Sequence, residues 1–462
     1  MTIVQAATVE KFREQFRGEI LLPTDNGYDG ARKIWNGMFD RRPAIIARCV
    51  GTSDVIRAVD FGRDQDLVMS VKGGGHNSAG NAVCDDGIMI DLSLMRRVNV
   101  DRGNKRVRVD GGALLSDVDS ESQLYGLAVS GGIVSHTGIG GLTLGGGFGW
   151  ISRSHGLSID NLLSAEVVTA NGTLVTASAE ENSDLFWAIR GGGGNFGIVT
   201  SFVFQGAEIG TEVYSGLIVK KFEDAKEYIQ FHREYVRTLP DEMTVWMVVR
   251  HAPPLPFLAS DVHGKMVVAV PFVWLGDPAK GEELIKPLRE ITESHGEAIG
   301  MNPWLGWQSG FDALNKHGAR NYWKSHHLRA FPDDCIDKII DFAGKMPTDE
   351  CEVFIPHMEG VPSRVPTNET AFSHRGTPFV LNIHTRWQES SDDERCLAWA
   401  RAFHQSTESF AQGVYVNFLS DEGEDRVKEA YTKEVWERLV EVKNKYDPNN
   451  LFRMNQNVKP SL

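Results

Sequence analysis

Short apolar runs separated by glycines fill the first 208 residues of the chain. Runs of this length, bounded by turn residues, are typical of buried strands. They predict strands at residues 44–49, 67–71, 87–92 and 107–109. Between the first two runs, Val55, Ile56 and Val59 recur on one helical face, so a helix is expected to begin at residues 52–53.

The remainder of this region continues the alternation of helices and strands. The pattern predicts helices at residues 113–125 and 183–190 and a strand at residues 198–204. Residues 166–169 and 174–176 flank Asn171-Gly172, a dipeptide typical of tight hairpin turns. These two segments are therefore predicted to pair as antiparallel strands.

The pattern changes after residue 208, where glycines become rarer and aromatic and charged residues more frequent. Strands are predicted at residues 243–249, 266–272 and 379–384, and helices at residues 222–238, 280–294 and 393–409. This mixture indicates an α+β fold in which an antiparallel sheet is covered by helices. Residues 425–445 predict one amphipathic helix that ends at Tyr446-Asp447-Pro448.

The bulk composition limits the classes of function. The chain of 462 residues is long enough for two or three domains, and its net charge of −14 argues against a nucleic-acid partner. The charged N-terminus lacks the apolar core of a signal peptide, and no apolar run approaches the roughly 18 residues that span a bilayer. The five cysteines are odd in number and widely spaced, which favours reduced thiols and a cytoplasmic protein.

Glycine is the one residue type with an unusual frequency. Its 47 copies make up about a tenth of the chain, against roughly 7% in ordinary proteins. Three segments are especially rich in it, residues 71–78, 131–149 and 191–197. Because glycine lets backbone N–H groups approach a ligand closely, these loops are candidates to cradle a diphosphate. The alternative is a set of tight turns packed against one another.

Residues 192–197 match the pattern G-x-G-x-x-G of dinucleotide-binding domains. That motif requires a strand before it and a helix after it, whereas this sequence predicts the reverse order, so a Rossmann domain is not expected. P-loop, nucleophile-elbow and H-E-x-x-H motifs are absent from the sequence. No metal site is expected either, because the following histidines lack metal-ligand spacing: His326, His327, His357 and His374.

Several motifs, in a fixed order, resemble those of one flavoenzyme family. They are residues 72–77 (KGGGHN), 137–149 (TGIGGLTLGGGFG), 156–161 (GLSIDN), 184–197 (DLFWAIRGGGGNFG), 415–417 (YVN) and 446–456 (YDPNNLFRMNQ). The chain is therefore similar to the FAD-linked oxidases of the vanillyl-alcohol oxidase superfamily, in the berberine-bridge-enzyme-like subgroup. Residues 209–411 match only loosely.

The resemblance implies a domain organisation. Residues 1–208 are expected to form an FAD-binding domain of the two-subdomain PCMH type, with its core at about residues 38–208. A substrate-binding domain is expected at residues 209–411, and residues 412–462 are expected to return to the FAD domain.

The resemblance also implies a covalent FAD, in which the ring of His76 is bonded to the 8α-methyl group of the flavin. Many relatives carry a second covalent link through a cysteine, but the aligned residue is Val134, so attachment through His76 alone is expected. The cofactor-binding residues implied by the match are Lys72, Gly73, Gly74, Gly75, His76, Asn77, Ser78, His136, Thr137, Gly138, Gly140, Gly141, Gly145, Gly197, Val199, Asn417 and Asn455.

The same match suggests three catalytic residues. Tyr415 is expected to take a substrate proton as hydride leaves for flavin N5, provided that a nearby cation or the flavin lowers its pKa. Thr137 is expected near N5 and C4a, where oxygen reacts, with His136 beside it. The loop of residues 134–137 (VSHT) also resembles that of flavin-N5-oxide-forming oxygenases.

We therefore expect the oxidation of a small molecule with O₂ as electron acceptor. The substrate is expected to be an alcohol, phenol, sugar, amine or polyketide-like compound. An oxygenase that inserts an oxygen atom and a flavin-binding protein without turnover are the alternatives. Candidates to reach the cavity from the inserted region are Glu352, His357, His374, Arg375, His384 and Arg386.

Overall fold

The structure is a computed structural model that describes residues 5–420 and 423–461. Helices and strands are mixed throughout the described residues, which confirms the predicted α+β class. Their strands form three large sheets and one two-stranded ribbon. In this part of the chain, no helix combines the length and the apolar composition needed to cross a membrane.

The elements of residues 5–208 follow the predicted alternation closely. The helices are α1 (Ala6–Gln15), α2 (Tyr28–Ala31), α3 (Thr52–Asp64), α4 (Leu115–Ser122), α5 (Ile139–Leu144), α6 (Ser152–His155) and α7 (Ser183–Ile189). The strands are β1 (Glu19–Leu21), β2 (Ile45–Arg48), β3 (Met69–Lys72), β4 (Ile88–Asp91), β5 (Val98–Asp101), β6 (Arg106–Asp110), β7 (Leu127–Ala128), β8 (Leu162–Val168), β9 (Leu174–Ser178), β10 (Ile198–Gln205) and β11 (Ala207–Glu208).

The first sheet has the order β1-β2-β4-β3. β2, β4 and β3 are parallel, and β1 is antiparallel to β2. Parallel strands of one sheet need a crossover connection, and α3 lies in the one from β2 to β3, which are separated in the sheet by β4. Because β3 ends at Lys72, the glycine loop of residues 73–75 begins directly at the carboxyl end of a parallel strand.

The second sheet is antiparallel, with the order β5-β6-β10-β8-β9. β8 and β9 form the predicted hairpin, and Gly172 in its turn has a φ of +79° that favours glycine. Residues 191–197 lie after a helix and before a strand, since α7 precedes them and β10 follows. This order confirms that the segment is not a Rossmann fingerprint.

The rest of the chain supplies the third sheet and its covering helices. The strands are β12 (Glu212–Lys221), β13 (Met243–Val245), β14 (Met247–His251), β15 (Met266–Trp274), β16 (Ser294–Pro303), β17 (Arg320–Leu328), β18 (Glu352–Ile355) and β19 (Phe379–Trp387). The helices are α8 (Ala225–Tyr235), α9 (Pro278–Glu290), α10 (Trp304–Ser309), α11 (Asp333–Ala343), α12 (Val361–Arg364), α13 (Asp393–Thr407), α14 (Glu424–Lys428) and α15 (Lys433–Tyr446).

The third sheet has the order β16-β12-β15-β14-β18-β19-β17, with β13 also paired to β15. One of its faces packs against α8, α9, α11 and α13 in a continuous apolar core. Successive side chains of a strand point to opposite faces. Thus Val268, Val270 and Phe272 of β15 belong to this core, whereas Val267 and Ala269 line a cleft on the other face.

Two predictions for this region were wrong in detail. The single strand predicted at residues 243–249 is divided at Trp246, which lies opposite Pro271. Proline has no N–H to donate, so the ladder is interrupted there. The helix predicted at residues 280–294 begins earlier, at Pro278, and ends at Glu290, and Ser294 instead opens β16.

The C-terminal helix predicted at residues 425–445 was also wrong as a single element. It is divided into α14 and α15, and Thr432 caps the second helix by accepting a hydrogen bond from the Val435 amide. The end at Tyr446 agrees with the prediction. Lys443 and Asp447 then form a fully buried ion pair at 2.6 Å.

Candidate active site

A narrow cavity runs between the glycine loops of the first sheets and the C-terminal segment. We call its two parts the outer chamber, of about 240 Å³, and the inner chamber, of about 180 Å³. The outer chamber reaches the third sheet at Trp323 and His384, and the inner chamber reaches Val199 and Gln456. The residues that line both chambers are Val71, Gly73, Asn77, Ala82, Gly141 and Asn417.

Most of the residues expected to bind the cofactor line these chambers. The outer chamber is lined by Gly73, Gly74, Gly75, His76, Asn77, Thr137, Gly138, Gly141 and Asn417. The inner chamber adds Gly140, Gly197, Val199 and Asn455. The three glycine segments and the C-terminal motif, distant in sequence, therefore surround one elongated space.

The other expected residues lie behind the chamber walls. Lys72 donates through Nζ to a backbone carbonyl of α2 at 2.6 Å, and Ser78 donates through Oγ to the Leu419 carbonyl at 2.9 Å. Gly145 backs onto Asn417, since a Cβ at residue 145 would lie 2.1 Å from the Asn417 Oδ1. These residues position the loops without lining the chambers.

The glycines of the walls fall into two kinds. A Cβ on Gly74 would lie 2.3 Å from the Gly138 backbone nitrogen, and a Cβ on Gly138 would lie 2.3 Å from the Gly74 nitrogen. These two glycines allow the first and second loops to touch. Gly141 and Gly194, in contrast, have no atom within 4 Å of an added Cβ. The second kind therefore faces open space, as a ligand cradle requires.

A further sign of a ligand is Asn455, which lines the inner chamber. Its Nδ2 donates to the Gly194 carbonyl at 3.2 Å, but its Oδ1 is buried without a partner among the described residues. The loop that carries it is fixed by Lys443, whose Nζ donates to the Asn195 and Phe452 carbonyls at 2.8 and 3.0 Å. Chambers that are walled by glycines, with main-chain donors and an amide side chain, fit the diphosphate and ring system of FAD.

His76 lies at the wall of the outer chamber, stacked on Trp35 with ring centroids 5.1 Å apart. Its Nε2 is 2.7 Å from Nδ1 of His136, so these nitrogens share one proton. Burial lowers the pKa of His76 well below its ordinary value, and the neighbouring His136 and His317 lower it further. His76 is therefore neutral, and the nitrogen left for the chamber is Nδ1.

His136 thus lies beside His76 and not on the chamber wall. With His317 these two residues form a cluster whose ligand nitrogens lie within 4.8 Å of one another. The sequence did not indicate this group, because His317 is remote in the chain from both partners. Three imidazoles this close are a candidate cation site as well as a hydrogen-bonded support for His76.

Val134, which the sequence resemblance aligns with the cysteine of many relatives, also lines the outer chamber. The five cysteines are buried, and none of them lies among the described residues that line the two chambers. All five are free thiols, as their spacing predicted.

Tyr415 projects into the outer chamber from the C-terminal segment. Its Oη accepts hydrogen bonds from the Gly147 amide at 3.0 Å and from Asn417 Nδ2 at 2.9 Å. Both contacts stabilise a phenolate, but burial outweighs them and raises the pKa of Tyr415 to about 12. The sequence predicted that a nearby cation or the flavin lowers the pKa of Tyr415. The protein without its flavin shows no such lowering.

Two of the six candidates from the inserted region line the outer chamber, Glu352 and His384. The Glu352 carboxylate lies 2.5 Å from Arg250 and 3.0 Å from His384, and the pKa of Glu352 is lowered to about 2, with Arg250 as the largest lowering influence. The remaining four have other partners: His357 contacts Arg153 and Glu359, His374 contacts the Glu429 carbonyl, Arg375 pairs with Asp160, and Arg386 pairs with Glu350.

Beside the outer chamber lies a much larger opening, which we call the cleft. Its volume is about 1050 Å³, and it borders the face of the third sheet that the helices leave uncovered. The cleft and the outer chamber share Ile133, Asn315, Glu352 and Phe354. A substrate in the cleft would therefore have direct access to Tyr415, His384 and Thr137.

Comparisons with known proteins support a flavin site. Residues 43–178 match the family described as "FAD binding domain", and residues 414–459 match "Berberine and berberine like". The (R)-6-hydroxynicotine oxidase of Paenarthrobacter nicotinovorans is 31% identical over 464 aligned positions, covering 96% of this chain and 97% of that protein. An FAD-linked oxidoreductase of Dictyostelium discoideum is 30% identical, covering 98% of this chain and 97% of that protein.

The solved structures agree with the sequence relatives. The crystal structure of 6-hydroxy-D-nicotine oxidase from Arthrobacter nicotinovorans superimposes with a TM-score of 0.86. The two chains are 28% identical, and the match covers 96% of this chain and 98% of that one. Both the N-terminal glycine loops and the C-terminal segment thus have counterparts in one fold.

Proposed function

This chain belongs to the berberine-bridge-enzyme-like family of FAD-linked oxidoreductases, and we propose that its FAD is bonded covalently to His76 alone and reoxidised by O₂. It is an enzyme that oxidises a small organic substrate. When bound, FAD supplies the acceptor for a hydride from that substrate. The residues around it orient the substrate, hold its proton and keep water out.

The position of His76 carries the proposal. Its ring lies at the chamber wall, and burial keeps it neutral. In the tautomer whose Nε2–H donates to His136, the Nδ1 lone pair is left for the flavin methyl group. A neutral imidazole is the nucleophilic form. Stacking on Trp35 fixes the plane of the ring, so little motion is needed for attachment.

The absence of a second covalent link is supported by another residue of the chamber wall. Val134 stands where a cysteine would be needed, and the buried cysteines lie elsewhere in the described chain. A valine side chain has no nucleophile. We therefore infer one covalent bond to the flavin.

Denaturation tests the attachment. Protein precipitated with acid should remain yellow, and its band on a denaturing gel should fluoresce. His76→Ala should release the flavin on precipitation, whereas His317→Ala, which alters a neighbouring imidazole, should retain it. Covalent flavin in the His76→Ala protein would overturn the assignment to His76.

Tyr415 is proposed to receive the substrate proton. Its Oη accepts two hydrogen bonds, from Gly147 and Asn417, so the oxygen is prepared to carry negative charge. Because the pKa of Tyr415 is raised to about 12 in the protein, the phenolate must be favoured by the bound flavin or formed as the substrate reacts.

An oxygenase of the N5-oxide type is the second candidate, and the position of Thr137 favours it. Thr137 lines the outer chamber together with Tyr415, so its hydroxyl is available to the reduced flavin or to oxygen. The amount of H₂O₂ formed per substrate separates the two. One equivalent is expected for an oxidase, and substantially less peroxide with an oxygenated product for an oxygenase.

A further inference from the structure

The cleft beside the flavin chambers has a composition unlike a polar binding site. About 1050 Å³ in volume, it is lined mainly by aliphatic and aromatic side chains. At its inner end, Trp150 and Trp246 stack with centroids 4.3 Å apart, and Trp307 lies 5.4 Å from Trp150. Aromatic walls of this kind bind flat or extended apolar groups.

The sheet face that borders the cleft carries apolar residues at alternate positions of its strands. Leu217 and Val219 of β12, with Val267, Ala269 and Pro271 of β15, alternate with the residues that pack against the helices. A sheet face that meets only water usually carries polar side chains at these positions. Val219 and Val267 are covered by residues 252–262 of the chain itself, in an apolar cluster with Ala252, Leu258 and Val262. Leu217, Val248 and Ala269 stay partly exposed in the cleft, and these three indicate an apolar occupant.

Three of the four charged side chains that line the cleft are paired, and the fourth is Lys316. Arg250 and Glu352 lie 2.5 Å apart, and Glu297 accepts from Arg289 at 3.0 Å. A sugar chain brings many hydroxyl groups, and each one buried without a partner costs free energy. Polar side chains gather instead at the junction with the outer chamber, where Asn315, Asn382 and His384 lie.

On the premise of the proposed oxidase function, we propose that the substrate has an extended apolar body that fills the cleft and one polar end that is oxidised at the flavin. The apolar body lies against β12 and β15. The polar end, an alcohol, phenol or amine, enters the outer chamber beside Glu352 and His384. The indole N–H groups of Trp150, Trp246 and Trp307, which have no partner among the described residues, could pair with only a few of the many hydroxyl groups of a sugar chain. We therefore expect oligosaccharides to bind more weakly than such substrates.

The test uses straight-chain primary alcohols from butanol to decanol, with xylobiose as the sugar probe, and the flavin-loaded wild-type protein. Binding is measured by the change in the flavin absorption spectrum under anaerobic conditions. Each added methylene group should tighten binding by up to about fourfold until the cleft is filled. Xylobiose should bind more weakly than the longer alcohols.

Two variants locate the binding to this surface. Ala269→Glu places a carboxylate on the apolar wall and should weaken decanol binding by more than tenfold. Val248→Thr, beside Ala269 on the neighbouring strand, keeps the shape of the wall, adds one hydroxyl group, and should weaken decanol binding severalfold while butanol binding changes little. Leu124→Glu, at an exposed position with 72% relative accessibility, is the control and should bind like wild type.

Failure of this inference is distinct from failure of the proposed function. A protein without flavin absorption would contradict the oxidase assignment itself. A flavin-loaded protein that shows no dependence on chain length, prefers xylobiose, or binds neither probe would overturn the apolar substrate class alone. The same holds if Ala269→Glu folds, binds flavin and retains wild-type affinity for decanol.

Discussion

At the two chambers the glycine loops contribute walls of main chain, whereas the walls of the cleft are almost entirely side chains. The loops of Gly74 and Gly138 touch so closely that neither position has room for a methyl group. The cleft is bounded by alternate residues of β12, β14 and β15, which need only be apolar and of suitable size. Main-chain walls require glycine at fixed positions, and side-chain walls tolerate substitution.

This difference explains why one region carries a sequence motif and the other does not. In the proposed function the chambers hold the cofactor, so their loops must approach a ligand of constant shape. The cleft is proposed to hold the substrate, and a change of two or three side chains would alter its preference without disturbing the sheet. Substitutions in the two regions should therefore have different consequences.

The largest effect is expected at the contact between the two glycine loops. Gly74→Ala forces the Gly138 backbone to move, because the new methyl group would lie 2.3 Å from its nitrogen. We expect the free energy of unfolding to fall by about 1–3 kcal/mol or more, and flavin binding to be lost. Chemical denaturation and the flavin absorption of the purified protein measure both.

Gly141→Ala is the matched control, since nothing lies within 4 Å of its added methyl group. Because Gly141 lies in α5, the substitution should raise the stability of the flavin-free protein by up to about 1 kcal/mol and weaken the binding of FAD. Equal destabilisation by the two substitutions would contradict the division of the glycines into packing and ligand-facing kinds.

The second prediction concerns Tyr415, where the two regions meet. Tyr415→Phe removes one hydroxyl group, so flavin should stay bound while reduction by substrate slows by about 10²–10⁴-fold. Anaerobic stopped-flow mixing measures the rate. Tyr431→Phe makes the same change at a buried tyrosine that lines neither chamber. The flavin of this variant should be reduced by substrate at the wild-type rate.

The pH dependence of flavin reduction is a second, independent test of the role of Tyr415. Because burial raises its pKa to about 12, the phenol is protonated at neutral pH and the phenolate fraction grows about tenfold with each pH unit. Flavin reduction in the wild type should therefore accelerate as the pH rises. A wild-type profile as flat as that of Tyr415→Phe would show that Tyr415 only packs.

The motif-bearing region was largely predictable from the sequence, and the cleft was not. β2, β3, β4 and α3 followed from apolar runs, and the glycine motifs led to the chambers. No local signal joined His317 to His76, because their contact depends on the tertiary fold. The break at Trp246 was missed because it arises from Pro271 on a neighbouring strand.

Other misses have local causes that were overlooked. Asp277 and Pro278 are ordinary helix-start residues, and the Asp277 carboxylate does accept from the Ala279 amide at 2.8 Å. Thr432 is likewise a common capping residue within the predicted C-terminal helix. The apolar residues of β12 and β15 are visible in the sequence, but which face helices cover is decided by packing.

A third prediction tests the contact between the two regions. Asp119 of α4 accepts hydrogen bonds from Trp304 and Gln308 of α10, both at 3.2 Å. Burial raises the pKa of Asp119 from 3.8 to about 6. The folded state therefore takes up a proton at a higher pH than the unfolded state, so the stability from this group is greatest below about pH 4 and declines up to about pH 6.

The decline should be on the order of 3 kcal/mol, from about 1.4 kcal/mol per pKa unit. The asparagine of Asp119→Asn does not ionise, so this variant should lack the decline in stability with rising pH. Denaturation curves of both proteins between about pH 4 and pH 7 measure the difference. If the stability difference between the two proteins does not change with pH, Asp119 does not titrate in this range.

The smallest effect is expected from Thr137→Val, which changes neither the shape of the outer chamber nor its apolar contacts. Reduction by substrate should continue, because Thr137 lines the outer chamber and does not line the cleft. Reoxidation should change, because a hydroxyl group that orients oxygen or donates to the reduced flavin is lost. The measurement is stopped-flow mixing of reduced enzyme with oxygenated buffer, with the flavin spectrum and the peroxide yield recorded. Ser135→Ala, beside it in the loop, is the control, and identical reoxidation in the wild type and Thr137→Val would assign oxygen access to other residues of the chamber.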